Sequence, residues 1–142
     1  MLNRKIQADI INWIRNSKKA LLIDGARQVG KTYIIRNTLE REKCNYIEFN
    51  LLKTPEIIPL LERSETVDDM ITNLSLFSKK PFIKGNTFIF FDEIQYAKHC
   101  DLVTMAKFLV ENGKYRFIFS GAMLGVELNN VASWPTGYMR EF

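Results

Sequence analysis

Apolar positions along this chain fall into two alternating rhythms, helical stripes and short unbroken runs. Ile6, Ile10, Trp13 and Ile14 recur at helical spacing before Asn16-Ser17, and the run Ala20-Leu21-Leu22-Ile23 follows as the first expected strand, residues 20–24. A helix is expected from Lys31, with Ile34, Ile35 and Leu39 turned inward, fading in the charged stretch Glu40-Arg41-Glu42-Lys43. Asn45-Tyr46-Ile47-Glu48-Phe49 predicts a second strand. Pro55 and Pro59 mark a loop and a short helix, and Val67, Met70, Ile71, Leu74 and Phe77 then form one amphipathic stripe, closed by Lys79-Lys80-Pro81. Gly85-Asn86 turns the chain into a strand that ends at Asp92. Leu102, Met105, Ala106 and Leu109 predict another helix, stopped at Asn112-Gly113, and Tyr115-Arg116-Phe117-Ile118-Phe119 a fourth strand ending in Ser120-Gly121. The stripes read as core. Strands separated by helices imply right-handed crossovers, so the expected class is α/β with a doubly wound, mainly parallel sheet.

The first strand runs straight into Gly25-Ala26-Arg27-Gln28-Val29-Gly30-Lys31-Thr32, a complete Gly-x-x-x-x-Gly-Lys-Thr phosphate-binding loop. Such a loop turns a strand sharply into a helix while its backbone N–H groups converge on one centre. Gly25 and Gly30 are needed where a side chain would block the phosphates or forbid the backbone angles. The helix start adds unpartnered N–H groups and the positive end of its dipole. Lys31 is expected to reach the β- and γ-phosphates, and Thr32 to place its hydroxyl on Mg²⁺.

Phe88-Ile89-Phe90-Phe91-Asp92-Glu93 repeats the logic with carboxylates. Four bulky apolar residues without polar alternation are what a parallel strand covered on both faces requires. Ligands in such sheets sit beyond the carboxyl ends of the strands, so Asp92 and Glu93 are expected on the same edge as residues 25–32. Asp92 fits the Mg²⁺ shell through water, and Glu93 fits the base that orients and deprotonates an attacking water. Ser120, at the end of the fourth strand, is a candidate to hold that water or sense the γ-phosphate.

Composition narrows the setting. At 142 residues, 46% hydrophobic and 25% charged, the chain is long enough for one core and too short for two, so residues 1–142 are expected to form a single domain. The net charge of +4 is scattered over pairs such as Arg4-Lys5, Lys18-Lys19 and Lys79-Lys80, which permits nucleic acid without indicating it. Cys44, Cys100 and His99 form neither a metal-ligand spacing nor a disulfide framework. No signal peptide or spanning segment is visible, and a cytoplasmic location is expected.

Residues 25–32, Phe91-Asp92-Glu93-Ile94-Gln95 and Phe119-Ser120-Gly121 together resemble the AAA-type ATPase domain of a large bacterial and archaeal family, usually followed by a C-terminal domain of unknown function. The resemblance spans nearly the whole chain, with Ala26 standing where Pro is common. It implies a three-layer P-loop NTPase sandwich of strand order 5-1-4-3-2. It also implies ATP and Mg²⁺ as ligands, Lys31 and Thr32 as phosphate and metal contacts, Asp92 and Glu93 as the acidic pair, and Ser120 as first sensor. Relatives continue through a fifth strand, a helical lid and the extra domain. Against that pattern the chain is expected to have an incomplete fifth strand and no lid, and to self-associate through an apolar edge near Val131, Trp134 and Tyr138. The protein partner is left open. ATP hydrolysis is the leading expectation, a nucleotide-dependent switch with negligible turnover the alternative, and a small-molecule phosphotransferase the third.

Overall fold

The computed structural model describes residues 2–24, 30–122 and 139–141. Helix α1 (Leu2–Asn16) leads into β1 (Ala20–Asp24), and α2 (Lys31–Arg41) leads into β2 (Asn45–Asn50). Two short helices, α3 (Ile58–Arg63) and α4 (Val67–Ser75), precede β3 (Thr87–Asp92). A 3₁₀ turn (Pro55–Ile57) leads into α3 and a second (Ile94–Tyr96) follows β3, and α5 (Leu102–Asn112), β4 (Arg116–Gly121) and the three-residue β5 (Met139–Glu141) complete the described chain.

All five strands are parallel and lie in the order β2-β3-β4-β1-β5, which is the expected 5-1-4-3-2 read from the other edge. β5 pairs with β1 over Ala20–Leu22. The fifth strand is therefore present, though short, and it covers the β1 edge there. Val131, Trp134 and Tyr138 lie outside the described residues.

Alternate residues of each strand feed opposite faces, and both faces are buried. Leu21, Ile23, Phe88, Phe90 and Ile118 pack with Ile10 and Trp13 of α1 and with Ile34, Ile35 and Leu39 of α2. Leu22, Phe49, Ile89, Phe91 and Phe119 pack on the other side with Leu61, Met70, Leu74 and Leu109 from α3, α4 and α5. This is why β1 and β3 read as unbroken apolar runs. On the second face Phe49, Phe91 and Phe119 stack in register across three strands, with ring centroids 5.8 and 5.5 Å apart.

One stripe ends sooner than its pattern predicts. α4 stops at Ser75, and the N–H groups of Leu76 and Phe77 bond three residues back, to Asn73 and Leu74. That tightening turns the chain about 120° per residue instead of 100°, carrying Phe77 off the core face to 45% exposure. Val67 is partly buried against the core, and Met70, Ile71 and Leu74 lie within it.

Candidate functional site

The carboxyl ends of β1, β3 and β4 converge on the start of α2. Gly30 sits there in the left-handed conformation (φ 70°, ψ 29°), and a Cβ built on it would meet nothing within 4 Å. Its conformation, not crowding, calls for glycine. Lys31, the first helical residue, is 6% exposed, and its Nζ donates to the Gly121 carbonyl at the end of β4, 3.0 Å away. Thr32 donates its hydroxyl to Oδ2 of Asp92 at 2.6 Å, joining residues 60 apart in the chain.

Asp92 is almost fully buried. Burial pushes its carboxyl above the ordinary aspartate range, and the Glu93 and Glu48 charges add to the rise. The hydrogen bonds from Thr32 and from the Glu93 amide oppose it. Asp92 Oδ1 accepts the Glu93 N–H at 2.9 Å, which accompanies a sharp change of direction. Glu93 adopts φ 59° and ψ 41°, rare for a non-glycine residue and common at functional sites. That turn sends Ile94 into the core while Glu93 and Gln95 stay partly exposed. Gln95 Nε2 donates to Glu93 Oε2 at 2.9 Å.

Ser120 lies within β4, opposite Ile23 of β1, completely buried. Its Oγ has no hydrogen-bond partner among the described residues. A hydroxyl left so costs free energy unless something else occupies the space beside it. Thus Lys31, Thr32, Asp92, Glu93 and Ser120 all lie at one end of the sheet. Gly25, Ala26, Arg27, Gln28 and Val29 fall outside the described residues.

The family model described as "AAA domain" matches residues 17–142. The chain belongs to the AAA domain family. Comparison with curated proteins gives no match. Among solved structures, the chain is similar to one in "Structure of Drosophila ORC bound to DNA", at 14% sequence identity and a TM-score of 0.57. The similarity covers 97% of this chain but only 41% of that one. At that identity the likeness speaks for the fold, an α/β P-loop NTPase core of AAA type.

This AAA domain carries contacts at the same sheet end that its sequence did not mark. Gln95 had a place in the acidic motif but no role, and the Gly121 carbonyl has no side chain to announce it. A groove of about 620 Å³, lined by Leu61, Met70, Met105 and Phe108 among others, lies between α4 and α5 and shares no residue with the cluster at Lys31, Thr32, Asp92, Glu93 and Ser120. Among the described residues no three His, Cys, Asp or Glu side chains group as a metal site, and no helix is long and apolar enough to cross a membrane.

Proposed function

We propose that this AAA domain binds Mg·ATP at the carboxyl end of its sheet and hydrolyses it. The observation that carries the reading is the Thr32–Asp92 hydrogen bond beside buried Lys31. It pairs the hydroxyl that follows the phosphate lysine with the carboxylate that ends β3, the two groups that a phosphate-bound divalent cation needs from the protein. The residues fit such a ligand in three respects: a buried lysine, a buried aspartate whose charge lacks full compensation, and an orphaned serine hydroxyl facing no described partner.

Each residue then has a task. The loop at 25–30 and the start of α2 hold the phosphates, with Lys31 supplying positive charge toward the β- and γ-phosphates. Thr32 and Asp92 hold the cation, which when bound supplies charge neutralisation on the phosphate oxygens. Glu93 orients the attacking water and accepts its proton, and Ser120 contacts the water or the γ-phosphate from β4. The finer membership, in the bacterial and archaeal group whose ATPase portion precedes a C-terminal domain, belongs to the same proposal and rests on residues 25–32, 91–95 and 119–121. Adenine preference rests on that membership and on the lack of a guanine-reading Asn-Lys-x-Asp segment in the sequence.

The test pairs binding with turnover. At a hundredfold excess over its dissociation constant, Mg·ATP should stabilise the parent by about 2.7 kcal/mol, and Lys31→Ala should erase most of that gain. Phosphate release is followed in parallel with ATP and GTP. A melt that ATP does not move overturns the reading. Binding without release converts it to the nucleotide-dependent switch.

A further inference from the structure

The Gln95 carboxamide is bonded at both ends. Its Nε2 donates to Glu93 Oε2 at 2.9 Å, and its Oε1 accepts the backbone N–H of Ala122 at 3.2 Å. The two partners decide the amide's orientation, because a carboxylate only accepts and a backbone N–H only donates. Ala122 directly follows Gly121, whose carbonyl receives the Lys31 ammonium. An unbroken path of bonds therefore runs from the phosphate lysine, through the end of β4, to the carboxylate on the end of β3.

We propose that Gln95 is a positioning residue for hydrolysis, holding the Glu93 carboxylate in fixed relation to the end of β4. The proposal rests on the ATPase reading above. Local conformation makes the contact possible. Left-handed Glu93 doubles the chain back into the 3₁₀ turn, and Ile94, 3% exposed, anchors that turn in the core. With its neighbour pinned, Gln95 has the reach to span Glu93 and Ala122. Glutamate at this position would keep the acceptor for Ala122 while losing the donor to Glu93 and adding a like charge. Alanine would lose both bonds. The two substitutions therefore separate the two halves of the tie.

Three measurements test it. In nucleotide-free protein, Gln95→Ala should speed hydrogen exchange of the Ala122 amide about fivefold, the worth of one net hydrogen bond, whereas Gln95→Glu should leave it near the parental rate. Both variants should lower kcat by about 10²-fold, the scale of a misplaced catalytic group, and leave the Mg·ATP dissociation constant within about twofold of the parent. In a Glu93→Gln background, Gln95→Ala should change the single-turnover rate by less than about twofold, because the group through which it acts is already gone. Parental kcat in Gln95→Ala, an equal further loss in the Glu93→Gln background, or unchanged Ala122 exchange overturns the positioning role while leaving the ATPase assignment intact. A parent that binds ATP and releases no phosphate overturns the hydrolytic reading, and this one with it.

Discussion

Helices α2 and α5 are each 11 residues long and begin in opposite ways. α5 starts behind Asp101, whose carboxylate accepts the Thr104 N–H at 3.2 Å and the Thr104 hydroxyl at 2.7 Å. A negative side chain thereby seals the positive end of the helix from within the fold. α2 starts behind Gly30, which has no side chain to offer, and the hydroxyl in its first turn is directed at Asp92 instead. Gly113, which ends α5, shares the φ of 70° found at Gly30. After a helix this conformation closes the chain, with the Gly113 N–H returning to Leu109. Before a helix it leaves the first N–H groups without a capping side chain. The same residue in the same conformation acts as a stop at one end and, on the proposed reading, would leave the start of the other helix open to phosphate.

The largest test of that contrast lies in the acids at the end of β3, one of which meets Thr32 of α2. Glu93→Gln should retain Mg·ATP and lose turnover by about 10²–10⁴-fold, while Asp92→Asn should weaken the Mg²⁺-dependent part of binding. Titration of nucleotide with and without Mg²⁺, alongside phosphate release, separates the two, and an equal loss of binding in both would show that the roles are misassigned.

Next in size, a carboxylate can be placed before α2 as one stands before α5, though on left-handed rather than extended backbone. Gly30→Asp should fold, since the site has open space and aspartate tolerates left-handed angles, at a cost of about 1 kcal/mol in stability. Its carboxylate would place a negative charge at the start of α2, so on the proposed reading the stabilisation of about 2.7 kcal/mol expected from a hundredfold excess of Mg·ATP should vanish. A variant whose melt still rises with ATP would show that the start of α2 is not the receptor.

The reciprocal change is milder. Asp101→Ala should cost about 1 kcal/mol in chemical unfolding and leave ATP affinity unaltered, because the cap serves only the fold. A separate test concerns pH near the same cap. Burial, with Glu62 and Asp101 nearby, pushes the Cys100 thiol from its ordinary 9.0 up to about 11. A folded-state value above the unfolded one means that this stability is present below about pH 9 and is lost as pH rises to about 11. Melts of the parent should therefore fall more steeply across that window than those of Cys100→Ser.

Much of the architecture was legible because burial on both faces of a parallel sheet leaves a strong signature. Residues 20–24 and 88–92 read as strands for that reason, and the stripes of α1, α2 and α5 followed from helical period. Phe77 was misplaced because the stripe continued where the hydrogen-bond pattern did not. Arg116 carried no signal beyond its place in a strand. In the fold it donates to the carbonyls of Trp13, Ile14 and Ser17 at the end of α1 and lies 4.6 Å from the Trp13 ring centroid. Those partners are about a hundred residues away in the chain, and β4 meets them only because it lies beside β1.

By itself the amino-acid sequence determined the kind of the main elements, the first four strands, and the arrival of Asp92 and Glu93 at a strand end, and it carries the motif at 25–32. These depend on near neighbours, on period, on turn residues and on the absence of side chains at glycine. Strand order has no such local cause, since any arrangement of buried parallel strands satisfies the same apolar runs; here it entered through a family resemblance. Tertiary structure alone decided the contacts that cross 60 residues from Thr32 to Asp92, 90 from Lys31 to Gly121, and 27 from Gln95 to Ala122. It also left the Ser120 hydroxyl buried without a described partner. Each of these follows from which strand ends lie side by side, a property of the assembled sheet that no single segment contains.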